Sequence, residues 1–251
     1  MARKRLGIGS QTFQNFSKEK MIYVDKTELI YKMMDLGVHN FIVRPRRFGK
    51  SLFLNTVENI YQGKKELFED TWAYNHLDWD AVKRPVLRID FTKVEYQSSS
   101  LESGLQSYLK QQAQLLGIEV SDGTAKETFR NMIEALGKET TIVILVDEYE
   151  MPVTDFVGKD EAKLQEDIDI LKKFYGTMKG MGDYIHRSYI TGVSKIGKIG
   201  VLSDLNMLND LTLNERFSTL FGYTETELRH FYAEYITEAA EKHKCTEAEI
   251  L

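Results

Sequence analysis

Two short runs in this chain carry the residue types that phosphate chemistry uses. The first is Arg44-Pro45-Arg46-Arg47-Phe48-Gly49-Lys50-Ser51 and the second is Asp147-Glu148. Gly-Lys-Ser between a strand and a helix is the second half of a P-loop, where backbone N–H groups and the positive end of the helix dipole converge on phosphate. In that reading Gly49 allows close backbone approach, Lys50 reaches the β- and γ-phosphates, and the Ser51 hydroxyl holds magnesium. Pro45, Arg46, Arg47 and Phe48 complete the loop, with Arg46 and Arg47 read either as phosphate contacts or as a solvated charged turn. The first glycine of the pattern is replaced by Arg44, so the match is incomplete. Asp147 is the expected metal-shell acid and Glu148 the group that orients or deprotonates an attacking water. Thr191 reads equally as a γ-phosphate sensor, if its strand lies between the other two, and as an ordinary strand-end threonine. Arg187 and Arg216 are weighed as cationic sensors, with surface salt bridges the favoured reading of each.

These groups need elements to position them, and the apolar pattern supplies candidates. His39 to Val43 reads as a short buried strand entering the loop, and Leu52, Phe53, Leu54, Val57, Ile60 and Tyr61 recur at helical spacing after it, up to Gly63. A second strand is expected over 85–91. The run 141–146 is apolar throughout, as a strand covered on both faces of a parallel sheet must be. A further strand is expected at 188–193. Helices are expected from a Thr27 cap to near Gly37, over 101–116, 124–136, 161–181 and 224–242, the last capped by Thr224 with Glu227 three residues on. Strands alternating with helices predict an α/β fold with a mainly parallel sheet.

With 251 residues, one large α/β domain or a domain plus a helical appendage fits; the reading taken is a core over 1–200 and a helical C-terminal extension over 201–251. Net charge is −5, from 33 basic and 38 acidic residues, which argues against direct nucleic-acid binding by this chain. No run approaches the roughly 18 apolar residues of a membrane span. Cys245 is the only cysteine, which excludes an internal disulfide and suits a reducing, cytoplasmic compartment. The five histidines lack paired metal spacing.

Further runs carry a resemblance. Tyr23-Val24-Asp25-Lys26-Thr27, Pro45 to Ser51, Asp147-Glu148-Tyr149 with Pro152, and Ile190-Thr191-Gly192-Val193-Ser194 appear in order, followed by Leu205-Asn206, Asp210-Leu211-Thr212 and Phe221-Gly222-Tyr223-Thr224. Together, over about residues 6–235, they resemble the bacterial AAA-ATPase-like family, whose members often carry a C-terminal nuclease-like domain of the PD-(D/E)XK superfamily. Glu150 departs from the family's usual aspartate and Leu211 from its usual isoleucine, while a non-glycine at the position of Arg44 is tolerated. The resemblance implies a P-loop NTPase three-layer sandwich of the additional-catalytic-glutamate type, in which the acidic strand is not adjacent to the P-loop strand. It also implies ATP with Mg2+ as ligand, and a fragment or short member that stops before the nuclease-like part. A homo-oligomer or a nuclease-like partner domain is left open, and Asp25 and Lys26 bordering the adenine rests on the resemblance alone. ATP over GTP is likewise an expectation from the resemblance, alongside the lack of an Asn-Lys-x-Asp motif. The function expected is Mg-dependent ATP hydrolysis driving a conformational switch. The alternative is a nucleotide-gated regulatory module with negligible hydrolysis, controlling a nuclease-like domain outside this chain.

Overall fold

The structure is a computed structural model, and it describes residues 3–195, 201–202 and 208–251. In chain order the elements are α1 (Phe13–Lys18), α2 (Thr27–Met34), β1 (His39–Val43), α3 (Lys50–Tyr61), α4 (Ala73–His76), α5 (Trp79–Val82) and β2 (Val86–Asp90). They continue with α6 (Leu101–Leu115), α7 (Ala125–Leu136), β3 (Ile142–Asp147), α8 (Met151–Thr154), α9 (Glu161–Lys179), β4 (Ile185–Gly192), β5 (Leu208–Asp210), α10 (Glu225–Phe231), α11 (Ala233–His243) and α12 (Glu247–Ile250). Among the described residues the strands form one five-stranded sheet, in the order β2-β3-β4-β1-β5 and parallel throughout.

The pleat explains why β3 is apolar at every position before its acid. Side chains alternate between faces along a strand, so Ile142, Ile144 and Val146 pack with Leu105, Phe129 and Phe174, while Val143 and Leu145 pack with Leu54, Val57 and Tyr61. One helical layer, from α6, α7 and α9, covers the first face; α3 and the N-terminal segments cover the second. The result is the expected three-layer α/β architecture of a P-loop NTPase-like fold. At about 25 cal/mol per Å2 of apolar surface, this two-faced burial is the main favourable contribution to folding.

Several local expectations change. Thr27 is the first residue of α2, with Lys26 at the cap position, because Asp25 reaches forward from two residues upstream. Its Oδ1 accepts from the Thr27 N–H and hydroxyl, at 2.8 and 2.7 Å. The strand expected at 188–193 begins earlier, at Ile185, and ends at Gly192. The expected 224–242 helix is two helices, since Tyr232 leaves helical geometry (φ −115°, ψ 15°). Its start agrees with expectation: Thr224 and Glu227 form a reciprocal capping box. The segment expected to be helical beyond 200 also gives the sheet its strand β5, which pairs with β1 from His39↔Leu208 to Phe41↔Asp210. Three residues, two of them polar, are too few to show a strand period. Leu205 and Asn206 lie outside the described residues.

Candidate nucleotide site

In an all-parallel sheet every strand ends on the same edge, and ligands bind outside those carboxyl ends. Here β4 lies between β1 and β3, as the sensor reading of Thr191 required. The pleat then decides which side chains meet. Asp147 follows Val143 and Leu145 on the α3 face, and Thr191 follows Tyr189 on that same face. The tips of β1, β3 and β4 therefore bring Thr191 to Asp147 and Lys50 to Glu148, with Ser51 next to Lys50 in the first turn of α3.

Gly49 forms the N-cap of α3 with φ +88°, and no side chain caps the helix. The first N–H groups of a helix have no intrahelical acceptor, so this end presents donors and a positive dipole. A Cβ at Gly49 would meet nothing within 4 Å; its left-handed backbone, not crowding, demands glycine. Lys50 is buried, and its Nζ donates to the carbonyls of Arg44 and Pro45 at 3.1 and 3.3 Å, lying across the loop. Arg47 also has a left-handed backbone (φ +70°), an uncommon choice for a side chain with a Cβ. Pro45, Arg46, Arg47 and Phe48 are exposed, and Ser51 is half-buried one residue into α3 from Lys50. Arg44, in the place of a glycine, does not enter the loop. Its Nη1 donates to the carbonyls of Val43 and Thr212 at 2.9 and 2.7 Å, and its guanidinium lies 5.6 Å from the Phe221 ring centroid.

On the acidic side Glu148 takes φ +53°, and its Oε1 lies 3.4 Å from Lys50 Nζ. A non-glycine residue held there costs about 1–3 kcal/mol, and such strain concentrates at functional sites. What restrains it is visible on either side. The Thr191 hydroxyl, fully buried, donates to Asp147 Oδ1 at 2.9 Å and to the Val146 carbonyl at 3.3 Å. Tyr149 N–H donates to the Thr191 carbonyl at 3.1 Å, and its hydroxyl donates to the Ser194 carbonyl at 2.9 Å. Glu150 is buried, and its Oε1 accepts from the N–H groups of Val193 and Ser194, the latter at 3.1 Å. Burial raises the Glu150 carboxyl above its ordinary value, against the pull of those backbone donors. Gly192 leaves room for this packing: a Cβ there would overlap Glu150 Oε2 and come within 2.6 Å of Tyr149 Cδ1.

Other expected residues lie elsewhere. Arg187 sits at the opposite end of β4 from the tip, donating to the Met34 and His186 carbonyls at 3.0 and 2.7 Å, and it forms no salt bridge among the described residues. Five residues of strand, roughly 16 Å, separate it from the tip. Arg216 is exposed in the short turn Glu215–Phe217. Asp25 is used internally, accepting also from Trp72 N–H at 2.6 Å, and Lys26 pairs with Glu227. Neither Arg88 nor the clamp made by Glu150 stands out as a site residue in the sequence pattern. A lone arginine inside Val86-Leu87-Arg88-Ile89 was the available signal for the first. A cavity of about 500 Å3 between α6, α7 and α9, lined in part by Glu102, Lys126, Glu166 and Lys173, contains none of these residues.

The donor set suits a hard cation. Asp147 and Ser51 offer oxygen atoms, and Mg2+ is ordinarily held by one or two carboxylates plus phosphates and water rather than by an all-protein cage. Among the described residues there is no group of three or more His, Cys, Asp or Glu that could hold a metal ion by itself. Among the same residues no helix is long and apolar enough to cross a membrane.

Comparison with known proteins agrees with this geometry. A protein from Azotobacter chroococcum mcd 1, described as "Uncharacterized protein in vnfD 5'region", is 36% identical over 238 residues. The match covers 93% of this chain and 46% of that protein, so the chain spans about half the length of the relative. A family model described as "Predicted AAA-ATPase" matches residues 7–202, which include the tips of β1, β3 and β4 and the loop 44–51. The chain belongs to this AAA-ATPase-like family.

Proposed function

We propose that this chain binds ATP with Mg2+ at the tips of β1, β3 and β4 and hydrolyses the β–γ phosphoanhydride, using the cycle as a conformational switch. One observation carries the reading. The uncapped N-terminus of α3, with left-handed Gly49, delivers Lys50 to within 3.4 Å of a strained Glu148 at the end of the acidic strand. Phosphate oxygens would take over the Lys50 donors that now serve the loop carbonyls, and the N–H groups of the first turn of α3 would bind the same phosphates. Ser51 and Asp147 would hold the metal, which when bound neutralises charge on the transferred phosphoryl group. Glu148, released from Lys50, orients the attacking water and accepts its proton as the water oxygen bonds to γ-phosphorus and the β–γ bridging bond breaks, leaving ADP. Thr191 keeps Asp147 in place from behind.

The position of Arg187 favours a second reading. With that arginine bound at the far end of β4, transition-state charge would fall to Arg216 or to a neighbouring copy. Alone, the chain would then be a nucleotide-gated module with slow turnover. Phosphate release by wild type and Glu148→Gln under saturating Mg-ATP separates the two. The enzyme reading expects Glu148→Gln to bind nucleotide and lose turnover at least about a hundredfold. Wild-type release no faster than Glu148→Gln selects the binding module.

A further inference from the structure

Arg88 occupies the third position of β2, between buried Leu87 and Ile89. The pleat turns it to the α3 face, the face that carries Asp147 on the neighbouring strand. Its Nη1 donates to Glu58 Oε2 at 3.1 Å, its Nη2 lies 3.6 Å from Asp147 Oδ2, and its Nε is buried with no hydrogen-bond partner. Thr191 holds the other Asp147 oxygen. Asp147 thus has a neutral donor on one oxygen and an internal cation beside the second. The remaining acid near the tip of β2, Asp90, is engaged by Thr92 and Lys93 and leaves Arg88 to its two partners.

Glu58 is the closer partner, and it lies on α3, the helix whose first turn would receive the phosphates. One guanidinium shared between two carboxylates has two arrangements available, and a cation arriving at Asp147 disfavours the shared one by like-charge repulsion. We propose that Arg88 is a positioning residue that competes with the divalent cation for Asp147 and retires onto Glu58 when the metal–nucleotide complex binds. Through Glu58 the metal site and the phosphate-binding helix are linked by one side chain. Arg88 would in this way keep Asp147 neutralised while the site lacks nucleotide, and limit how tightly the metal is held afterwards. This inference rests on the metal–nucleotide reading of the site given above.

The test is Mn2+ affinity, read from free Mn2+ by electron paramagnetic resonance, with the full chain and a non-hydrolysable ATP analogue. Arg88→Gln removes the competing charge and is expected to bind Mn2+ about tenfold more tightly, the order of effect of a like charge several ångströms away in a partly solvated site. Glu58→Gln removes the alternative partner, drives Arg88 onto Asp147, and is expected to weaken Mn2+ binding. Opposite signs from the two variants support the proposal; a merely structural ion pair weakens Mn2+ binding in both. If Arg88→Gln does not fold, Arg88→Met takes its place as the variant expected to bind Mn2+ more tightly, and unchanged or tighter Mn2+ binding by Glu58→Gln overturns the inference on its own. If wild type takes up no Mn2+–nucleotide, the functional reading fails and this inference with it. If wild type binds and Arg88→Gln is unchanged or weaker, only the role of Arg88 is lost.

Discussion

Thr191→Val removes a single hydroxyl, and the structure says what that hydroxyl does. The Thr191 side chain is fully buried and donates at 2.9 Å to Asp147 Oδ1, a carboxylate itself only 2% exposed. Valine fills nearly the same volume, so packing is kept while a buried acceptor loses its donor. Hydrogen bonds to charged groups contribute about 1.5–3 kcal/mol, and Arg88, at 3.6 Å, stands beside the other oxygen, Oδ2, while Glu58 holds its Nη1. The expected loss is about 2 kcal/mol, which for a chain of this size lowers Tm by roughly 4–8 °C. Urea unfolding without nucleotide, at neutral pH, measures it. Thr191→Ser keeps the hydroxyl and is expected to lose only about 1 kcal/mol, for one buried methyl group. Were Thr191 purely a phosphate sensor, valine would leave the nucleotide-free protein unchanged and affect turnover alone. A Thr191→Val loss below about 0.5 kcal/mol would refute the positioning role.

The remaining expectations concern the clamp, a buried acid and a displaced arginine. Gly192→Ala should cost about 1–3 kcal/mol or more, since the new Cβ overlaps Glu150 Oε2 and meets Tyr149. The double variant with Glu150→Ala should lose less than the sum of the singles, and strict additivity in urea melts would exclude the clash. Asp167, buried in α9 with Oδ2 unpartnered, has its carboxyl pushed up to about 6 from 3.8 by burial, with Glu166 and Asp160 adding to the rise and Lys163 opposing it. The folded chain therefore keeps this proton where the unfolded chain has lost it, and stability falls as pH rises from about 4 to about 6. Asp167→Asn should gain roughly 2 kcal/mol at pH 7 and little at pH 4; equal gains at both pH values in thermal melts would contradict the assignment. Arg187→Met should leave ATP-analogue affinity unchanged while losing about 1 kcal/mol of stability, and a large loss of affinity would return Arg187 to the site.

Much of this was legible because the physics is local. A strand buried on both faces must be apolar at every position, so β3 announced itself, and with it the acid at its end. The amphipathic spacing after Lys50 did the same for α3 and the loop that precedes it. What stayed hidden depended on partners distant in sequence. Asp25, rather than Thr27, sets the start of α2 while Trp72, far along the chain, holds its other oxygen, and β5 exists only because β1 offers it an edge. Arg88 shows as an oddity in its strand, but its partners come from α3 and β3. Glu150 looks like one more acid after a strand until Gly192, folded against it, shows that the carboxylate is buried.

The most direct test of the account is calorimetric binding of Mg2+ with a non-hydrolysable ATP analogue to wild type and Lys50→Ala. The account expects saturable, Mg-dependent binding by wild type and its loss, by at least about tenfold, in a Lys50→Ala variant that remains folded. Equal affinities for the two proteins, or no binding by wild type, would contradict the claim that the first turn of α3 is a phosphate site.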